Sequence, residues 1–419
     1  MLTKPPELTP REQEALRAQT IAELTPGSLL HDFAALLDFI ATHELTATGK
    51  QQLLPLAALD ALNARLAQPL QLSLKRAIQK SYPHLNGLFL LARATGLLRV
   101  VRREEVARLQ LDEAAWAVWQ TLNPTERYFT LLEAYLYHAS VEMIGERGRW
   151  LDTPGLLSDC LMIWQRVSEQ GLRVPPGKAQ DNYIYSVWLY HYALLELFGL
   201  IRVKPGKAQT GAGWSIAEIQ QTPFGQAVLT LVMQCSAERL KQLMETDWEE
   251  ETEAPPRSFT NCQAQFQPYF PEWQRGYVLP EQETFQAGVF QFKVSLGKIW
   301  RRIVIPATAP LEELSEAILD SVDFDNDHLH CFEYKNRFGV TARVNHYAMD
   351  EPPYSSEVRV GDLPLAPGDA LEYTFDFGDN WEFQLALESI APADKKLKRA
   401  RVIESHGKAP QQYPDLDWD

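Results

Sequence analysis

The period of the hydrophobic pattern changes along this 419-residue chain, and that change limits the fold more than any other feature. In the segment LLHDFAALLDFI, residues 29–40, apolar side chains recur at steps of three and four, which places them on one helix face. From Phe290 the apolar residues of FQFKVSL alternate with polar ones, as in a strand with one buried face. Between the two patterns, residues 246–287 are rich in proline and have no sustained period, which indicates an irregular connection. The sequence therefore predicts a multidomain protein with a helical N-terminal region and a strand-rich C-terminal domain.

Two similar segments in the first half indicate an internal repeat. Residues 87–101, GLFLLARATGLLRVV, and residues 192–205, YALLELFGLIRVKP, each combine an apolar helix, a glycine and a short strand. This order is typical of the passage from the third helix to the wing of a winged-helix unit. We predict two winged-helix-like units, within residues 1–110 and 111–245, followed by the connection at residues 246–287.

The predicted recognition helices of these units lack the side chains that recognise DNA. The first, residues 82–95, carries His84 and Arg93 as its basic side chains, and the second, residues 183–198, has no lysine or arginine. A helix in the major groove needs Arg, Lys, Asn or Gln aimed at base edges, so we favour packing or protein contact for both units. A wing-led contact with nucleic acid is the alternative, and it would use basic residues in or beside the predicted strands. These residues are Arg99, Arg102, Arg103, Lys204 and Lys207.

The C-terminal domain, residues 288–419, is predicted to be α+β. The pair Gly297-Lys298 can turn the first strand into a second one, IWRRIVIP, and Thr308 with Pro310 begins a helix. One helix after a hairpin, followed by several strands, favours a curved and largely antiparallel sheet. The further strands are predicted at residues 328–334, 340–345, 357–360, 371–377 and 381–388.

Charge and cysteine usage narrow the class of protein. The net charge is −15, and residues 281–419 carry −11 of it, which repels phosphate backbones and favours cations or basic partners. The four cysteines show neither C-x-x-C nor zinc-ligand spacing, so reduced thiols are expected. The sequence begins without the apolar core of a signal peptide, and no membrane span is predicted. We expect a soluble cytoplasmic protein that binds another protein or a second copy of itself.

Histidine and aspartate residues of the C-terminal domain form a candidate polar or metal-binding cluster. His328 and His330 are two residues apart, so on a strand they point the same way, and nearby aspartates could complete a transition-metal site. The aspartates of residues 323–327 alternate as in a calcium loop, but the glycine and glutamate that such a loop requires further on are absent. Ordinary hydrogen-bonded structural roles are the competing interpretation, and no cofactor is predicted, with a divalent metal as the alternative. The cluster comprises His328, His330, Asp325, Asp376 and Asp379.

Two of these aspartates flank a predicted turn in YTFDFGDNWEFQLALE, residues 373–388. Gly378, Asp379 and Asn380 have the residue types of a turn, which explains Asp379 without a functional role. Asp376 is predicted to point away from the aromatic face of its strand, where His328 could reach it.

Several segments of the C-terminal domain resemble the plasmid pRiA4b ORF-3-like family. They are WRRI at residues 300–303, FDNDHLHCF at residues 324–332, GDL at residues 361–363, and the stretch from Tyr373 to Trp381 with its DFGD-x-W core. The resemblance implies an α+β domain over residues 288–419 and a bacterial protein of a family found on plasmids, chromosomes and insertion sequences. The helical first half and PYFPEW, residues 268–273, resemble the longer members.

We infer no enzymatic activity from the resemblance. Some members carry a resolvase-like name, but this chain has no recognisable serine-recombinase signature. Many shorter members also have a histidine two residues after the tryptophan, where Phe383 stands here, and a cysteine-containing tail that this chain lacks. We predict an interaction or regulatory protein. A metal-dependent enzyme using the histidine and aspartate cluster, and a wing-led DNA-binding regulator, are the alternatives.

Overall fold

The structure is a computed structural model, and it divides into two compact units. The N-terminal unit comprises residues 1–99 and 109–281, and the C-terminal unit comprises residues 100–108 and 282–419. The predicted combination of a helical N-terminal part and an antiparallel C-terminal sheet is confirmed. The residues described are 6–103, 106–146, 155–167, 170–175, 189–207, 211, 213–245, 258–280 and 285–413.

Helices dominate the N-terminal part of the chain, because apolar residues recur there at helical spacing and capping residues mark the helix starts. Asn123 accepts a hydrogen bond from the backbone of Glu126 at 2.9 Å, and the Glu126 carboxylate accepts one from the backbone of Asn123 at 2.9 Å. The helices are α1 (Pro10–Arg17), α2 (Leu29–Thr42), α3 (Leu56–Asn63), α4 (Pro83–Ala94), α5 (Glu113–Gln120), α6 (Pro124–Glu133), α7 (Leu157–Arg166), α8 (Leu189–Leu197), α9 (Pro223–Glu245) and α10 (Gln263–Phe266).

Short strands accompany these helices. They are β1 (Leu45–Thr46), β2 (Leu98–Arg103), β3 (Val106–Leu111), β4 (Leu172–Arg173), β5 (Ile201–Pro205), β6 (Ile216–Gln221), β7 (Ser258–Phe259) and β8 (Tyr277–Val278). They form two three-stranded sheets, in the orders β1-β3-β2 and β4-β6-β5, and the pair β7-β8. In the described residues no helix combines the length and apolar character that a bilayer crossing requires.

The two repeated segments share one local plan. Gly96 follows α4 and Gly199 follows α8, each with φ of 72°, a left-handed conformation that glycine adopts without strain. A two-stranded hairpin comes next in both segments, β2-β3 and β5-β6. Every residue of α4 is buried, and a Cβ added at Gly87 would lie 2.8 Å from Cγ of Leu194 in α8. Helices α4 and α8 are therefore packed closely against each other.

One pair of cysteines contradicts the expectation of reduced thiols. Cys235 of α9 and Cys262, just before α10, form a disulfide bond, whereas Cys160 and Cys331 are free and buried. The buried carboxylate of Glu133, at the end of α6, accepts a hydrogen bond from the Cys262 backbone at 2.8 Å, which holds this segment next to α6. A separation of 27 residues carries no recognisable cysteine motif, so only the tertiary structure shows the pairing.

The C-terminal unit is a seven-stranded antiparallel sheet with a helix on one face. Alternation buries Phe290, Phe292 and Val294 on that face, and the helix α11 (Leu311–Asp320) completes the core. The strand order is β12-β11-β13-β14-β9-β10-β15. The strands are β9 (Val289–Leu296), β10 (Ile299–Pro306), β11 (His330–Lys335), β12 (Thr341–Asn345), β13 (Ala370–Phe375), β14 (Trp381–Ala391) and β15 (Arg401–His406).

Three details of this sheet differ from the sequence-based prediction. No strand forms at residues 357–360, where the Asp362 carboxylate accepts a hydrogen bond from the Arg359 backbone at 3.0 Å and caps a short 3-10 helix, Val360–Asp362. Strand β13 ends at Phe375, two residues earlier than predicted, because Asp376 has a positive φ of 54°. Strand β15 was not predicted at all.

Candidate metal centre

The five residues of the predicted histidine and aspartate cluster do not converge on one point. Strand β11 begins at His330, so His328 precedes it, and the expectation that both histidines share one strand face is wrong. The His330 side chain is fully buried, whereas 43% of the His328 side chain is exposed. Asp379 is exposed in the turn between β13 and β14.

His328 does lie close to Asp376. Its Nε2 atom is 3.4 Å from Oδ2 of Asp376 and 3.9 Å from Oδ2 of Asp327. The other oxygen of Asp376 accepts a hydrogen bond from the backbone of Gly378 at 2.9 Å, so this buried carboxylate also holds the turn. His328 therefore reaches Asp376, a contact that the sequence left open, within a surface network.

The residues just before the C-terminus complete that network. The Tyr413 hydroxyl donates to Oδ2 of Asp327 at 2.9 Å, and the Asp325 backbone donates to the Gln412 side chain at 2.6 Å. Partial desolvation and then the bond to Asp327 raise the pKa of Tyr413 to about 12. These hydrogen bonds connect residues 412–413 to the loop before β11. Asp325 and Asp327 thus have a structural role in this network.

His330 instead lies in a second cluster, with Glu312 and His346. Strands β11 and β12 are antiparallel neighbours, and the His346 backbone donates to the His330 carbonyl at 2.9 Å. The two imidazole rings are consequently 4.9 Å apart between centroids. Glu312 enters from the first turn of α11, with Oε2 3.4 Å from Nε2 of His330.

Three hydroxyl groups surround His330. Ser355 lies 3.0 Å from its Nε2 and donates to the Glu312 carboxylate at 2.5 Å. On the other side of the ring, Ser315 lies 3.4 Å from Nδ1 and 2.6 Å from the Tyr373 hydroxyl. Both nitrogens of this buried ring therefore have polar neighbours, which fix its orientation.

The electrostatics of the cluster follow from burial and from these contacts. The hydrogen bond with His330, followed by the bond from Ser355, lowers the pKa of Glu312 despite its partial burial. Burial, and then the proximity of His330, lower the pKa of His346. Burial raises the pKa of Tyr373. The cluster thus favours a carboxylate and a neutral imidazole at His346, the protonation states that bind metal ions.

Glu312, His330 and His346 form a group that could hold a metal ion. Each offers one ligand atom, and these atoms all lie within 4.8 Å of one another; in the described part of the chain, no other group of histidine, cysteine, aspartate or glutamate residues does this with three members. Two imidazoles and one carboxylate are the ligand types that zinc and similar ions use. Nδ1 of His346 accepts a hydrogen bond from the Ala348 backbone at 3.2 Å. A metal bound at Nδ1 would replace this bond, and a metal bound at Nε2 would move the ring proton to Nδ1, so the bond is lost in either case.

Sequence reasoning missed Glu312 and His346. A partial signal for His346 was present, because the two predicted strands indicate a hairpin, but only the observed register, with Cys331 opposite Asn345, places His346 opposite His330. Glu312 had no such signal, since its position depends on how the start of α11 meets the sheet.

Only some of the basic residues of the predicted wings are free of an acidic partner, among the residues that the structure describes, and could contact nucleic acid. Arg99 forms an ion pair with Asp112 at 3.8 Å, and Arg102 donates to Asp369 at 2.8 Å. Lys204 and Lys207 are exposed. The side chain of Arg103 lies outside the described residues, as does the start of the second predicted recognition helix, residues 183–188.

Comparison with known proteins supports the family resemblance for this domain. Residues 288–413 match the family model described as plasmid pRiA4b ORF-3-like protein. The predicted resemblance is confirmed there. The matched segment is less than a third of the chain and contains Glu312, His330 and His346, so the candidate metal centre lies within the pRiA4b ORF-3-like domain.

Two similar proteins carry names without a stated activity. The chain is 29% identical over 138 residues to "Uncharacterized protein y4hQ" of Sinorhizobium fredii, a match covering 32% of this chain and 69% of the relative. It is 26% identical to a protein of unknown function, MM3350, from Methanosarcina mazei Go1, whose crystal structure aligns with a TM-score of 0.27 over 30% of this chain and 72% of that one.

Proposed function

We propose that the pRiA4b ORF-3-like domain binds a divalent transition-metal ion of the zinc class through Glu312, His330 and His346. The observation that carries this proposal is the convergence of three ligand atoms within 4.8 Å of one another. The distance of 3.4 Å between the Glu312 oxygen and the His330 nitrogen already matches two neighbouring ligands of one ion.

The ligand chemistry selects the class of ion. Calcium and magnesium prefer sites made of oxygen atoms, whereas two imidazole nitrogens and one carboxylate suit zinc and related ions. Three protein ligands leave a fourth position for water or for a side chain of a partner. The Ser315 hydroxyl lies 3.4 Å from Nδ1 of His330, where an outer-shell group would hold the ring, whereas Ser355 contacts Nε2 and would release that nitrogen when the metal binds.

We assign this centre a regulatory or structural role in an interaction protein. The His330 side chain is fully buried, and only 21% of the Glu312 side chain is exposed, so little room is left at the ligands for a large substrate. Metal binding would connect α11 with strands β11 and β12 and thereby stiffen this end of the sheet. A cytoplasmic location stays a prediction, and an association with mobile elements rests on the family resemblance alone.

We further propose that the N-terminal repeats are winged-helix-like units that serve protein contact and packing. The order α2, β1, α3, α4, β2, β3 supports the first unit, and the order α7, β4, α8, β5, β6 is compatible with the second. Burial of α4 and of nearly all of α8 argues against DNA recognition, because a recognition helix must expose one face to the groove.

Metal analysis of the purified protein tests the main proposal. We expect the full-length chain to bind about one equivalent of zinc per molecule, and we expect Glu312→Gln, His330→Gln and His346→Gln each to weaken binding at least about tenfold. His328→Gln is the matched control, since it removes an exposed imidazole two residues from the centre. Wild-type protein that binds no zinc, nickel or cobalt, or equal loss in the His328 variant, would contradict the proposal.

A further inference from the structure

Strand β15 leaves one edge of the seven-stranded sheet open. It pairs with β10 on one side, and no strand among the described residues pairs with its other side. All of its residues are exposed except Val402, which is half-buried, and 46% of Ile403 is exposed. Unpaired backbone N–H and C=O groups along such an edge can form hydrogen bonds with another extended chain.

A concentration of positive charge lies at the start of this open edge. Five basic side chains are exposed there, and within the described part of the chain none of them forms an ion pair. The nearby carboxylates of Glu313 and Asp394 are bound to backbone N–H groups of Ala400 and Lys396, at 2.5 and 2.8 Å. The five cations are Lys395, Lys396, Lys398, Arg399 and Arg401.

This cluster is unusual within an acidic domain. Elsewhere on the sheet two arginines are paired with carboxylates, Arg302 with Glu388 at 2.7 Å and Arg343 with Glu333 at 2.5 Å. Residues 281–419 carry a net charge of −11, yet no acidic side chain of the described residues forms an ion pair with the five cations, and the two nearby carboxylates accept backbone N–H groups instead. The unpaired charge at β15 therefore attracts an external acidic group.

We propose that the open edge of β15 docks an extended acidic peptide segment of another protein. The segment would add to the sheet as an eighth strand, and its carboxylates would meet the cations of residues 395–401. The exposed side chain of Ile403 supplies an apolar contact for alternate residues of the added strand.

The surroundings favour a peptide over nucleic acid. Single-stranded nucleic acid is usually held by exposed aromatic rings on which bases stack. Trp300, on the neighbouring strand β10, is already covered by the stacked His406 ring at 5.4 Å and by Lys293 and Arg302. The negative charge of the domain also opposes a phosphate backbone, whereas the open strand edge offers hydrogen bonds that match a peptide.

Fluorescence anisotropy with full-length protein tests this proposal. The probe is a labelled peptide of about eight alternating glutamate and valine residues, the length of an ordinary strand. We expect it to bind at low ionic strength, and to bind at least about tenfold more weakly at about 1 M salt, where charges are screened within ~3 Å. Replacing alternate valines by proline removes N–H groups and should abolish binding. A peptide with lysine in place of glutamate should not bind.

Variants separate this edge from the rest of the surface. The double variant Lys398→Glu, Arg399→Glu should weaken peptide binding at least about tenfold. Lys298→Glu, which reverses an exposed charge in the turn between β9 and β10, should leave binding unchanged. Circular dichroism of each variant shows whether the fold is retained. If the double variant does not fold, a second double variant in the preceding loop, Lys395→Glu with Lys396→Glu, replaces it.

Three outcomes would overturn the proposal. They are no binding of the acidic peptide by folded protein at low salt, equal binding of the proline peptide, and tighter binding of oligothymidylate than of the peptide. Sedimentation of the free protein completes the test. If wild-type dimers dissociate in the double variant, a second copy of this chain occupies the edge, and the proposal of a separate partner is wrong.

Discussion

Arg93 offers a direct test between DNA recognition and packing for the first repeat. It is a basic residue of α4, and its side chain would contact DNA if that helix entered a groove. Only 2% of Arg93 is exposed, and its guanidinium donates to the carbonyls of Gln52 at 2.7 Å, Met143 at 2.9 Å and Gln51 at 3.3 Å. Burial lowers its pKa to about 10, so the group keeps its charge at neutral pH.

We expect Arg93→Met to destabilise the N-terminal unit strongly. Methionine retains much of the side-chain volume but leaves three carbonyl oxygens without their charged donor. A hydrogen bond to a charged group contributes about 1.5 to 3 kcal/mol, and the three bonds act as one unit, so we expect a loss of about 3 to 5 kcal/mol. This is a large part of the roughly 5 to 15 kcal/mol by which ordinary domains are stable.

Urea unfolding followed by circular dichroism measures the loss. Arg65→Met is the matched control, because Arg65 is also held by a polar contact, at 2.9 Å from the Asp38 carboxylate, but 41% of its side chain is exposed. Its effect should stay below about 1 kcal/mol. A loss below about 1 kcal/mol for Arg93→Met, together with weaker binding to duplex DNA, would refute the packing argument and restore DNA recognition by α4.

Three further predictions concern other contacts. Ser355→Ala removes a fully buried hydroxyl that contacts both Glu312 and His330. It should lower the free energy of unfolding of the C-terminal unit by about 1 to 3 kcal/mol, and unchanged stability would argue against these hydrogen bonds. Reduction of the bond between Cys235 and Cys262, which closes a loop of 27 residues, should lower stability by about 3 kcal/mol, and a Cys235→Ser variant should become insensitive to reductant. Arg302 lowers the pKa of Glu388 by hydrogen bonding. The pair therefore stabilises the fold fully at pH values above the ordinary carboxylate pKa, and this stabilisation is lost as the pH falls through the lowered pKa of Glu388. Arg302→Met should therefore lose less stability than wild type between about pH 5 and about pH 3, and parallel curves for the two proteins would contradict this.

The sequence predicted those parts of the fold that depend on local periodicity and turn chemistry. The first hairpin of the C-terminal unit is an example, because the alternation of β9 and the turn at Gly297-Lys298 define its register, with Leu296 opposite Ile299. Strand β15 could not be found in this way. Nearly all of its residues are exposed, so RVIESH has no alternation between a buried and a solvent face.

The candidate metal centre shows the same limit. His330 was identified from its spacing to His328, but the two residues have different surroundings because β11 begins between them. The residues that accompany His330 come from a helix start and from the end of the next strand, positions that only tertiary packing brings together. His330 is the one predicted residue that belongs to the group of three, and that group is defined by the fold.

The close packing of α4 against α8 also limits how the N-terminal unit can be divided. Each helix is apolar on nearly all sides, and each supplies part of the surface that covers the other. A fragment ending at residue 110 would expose the whole inner face of α4 to water, and the complementary fragment would expose α8. The two repeats are therefore one folding unit. In evolution, loss of either copy would expose to water the apolar helix of the copy that remained.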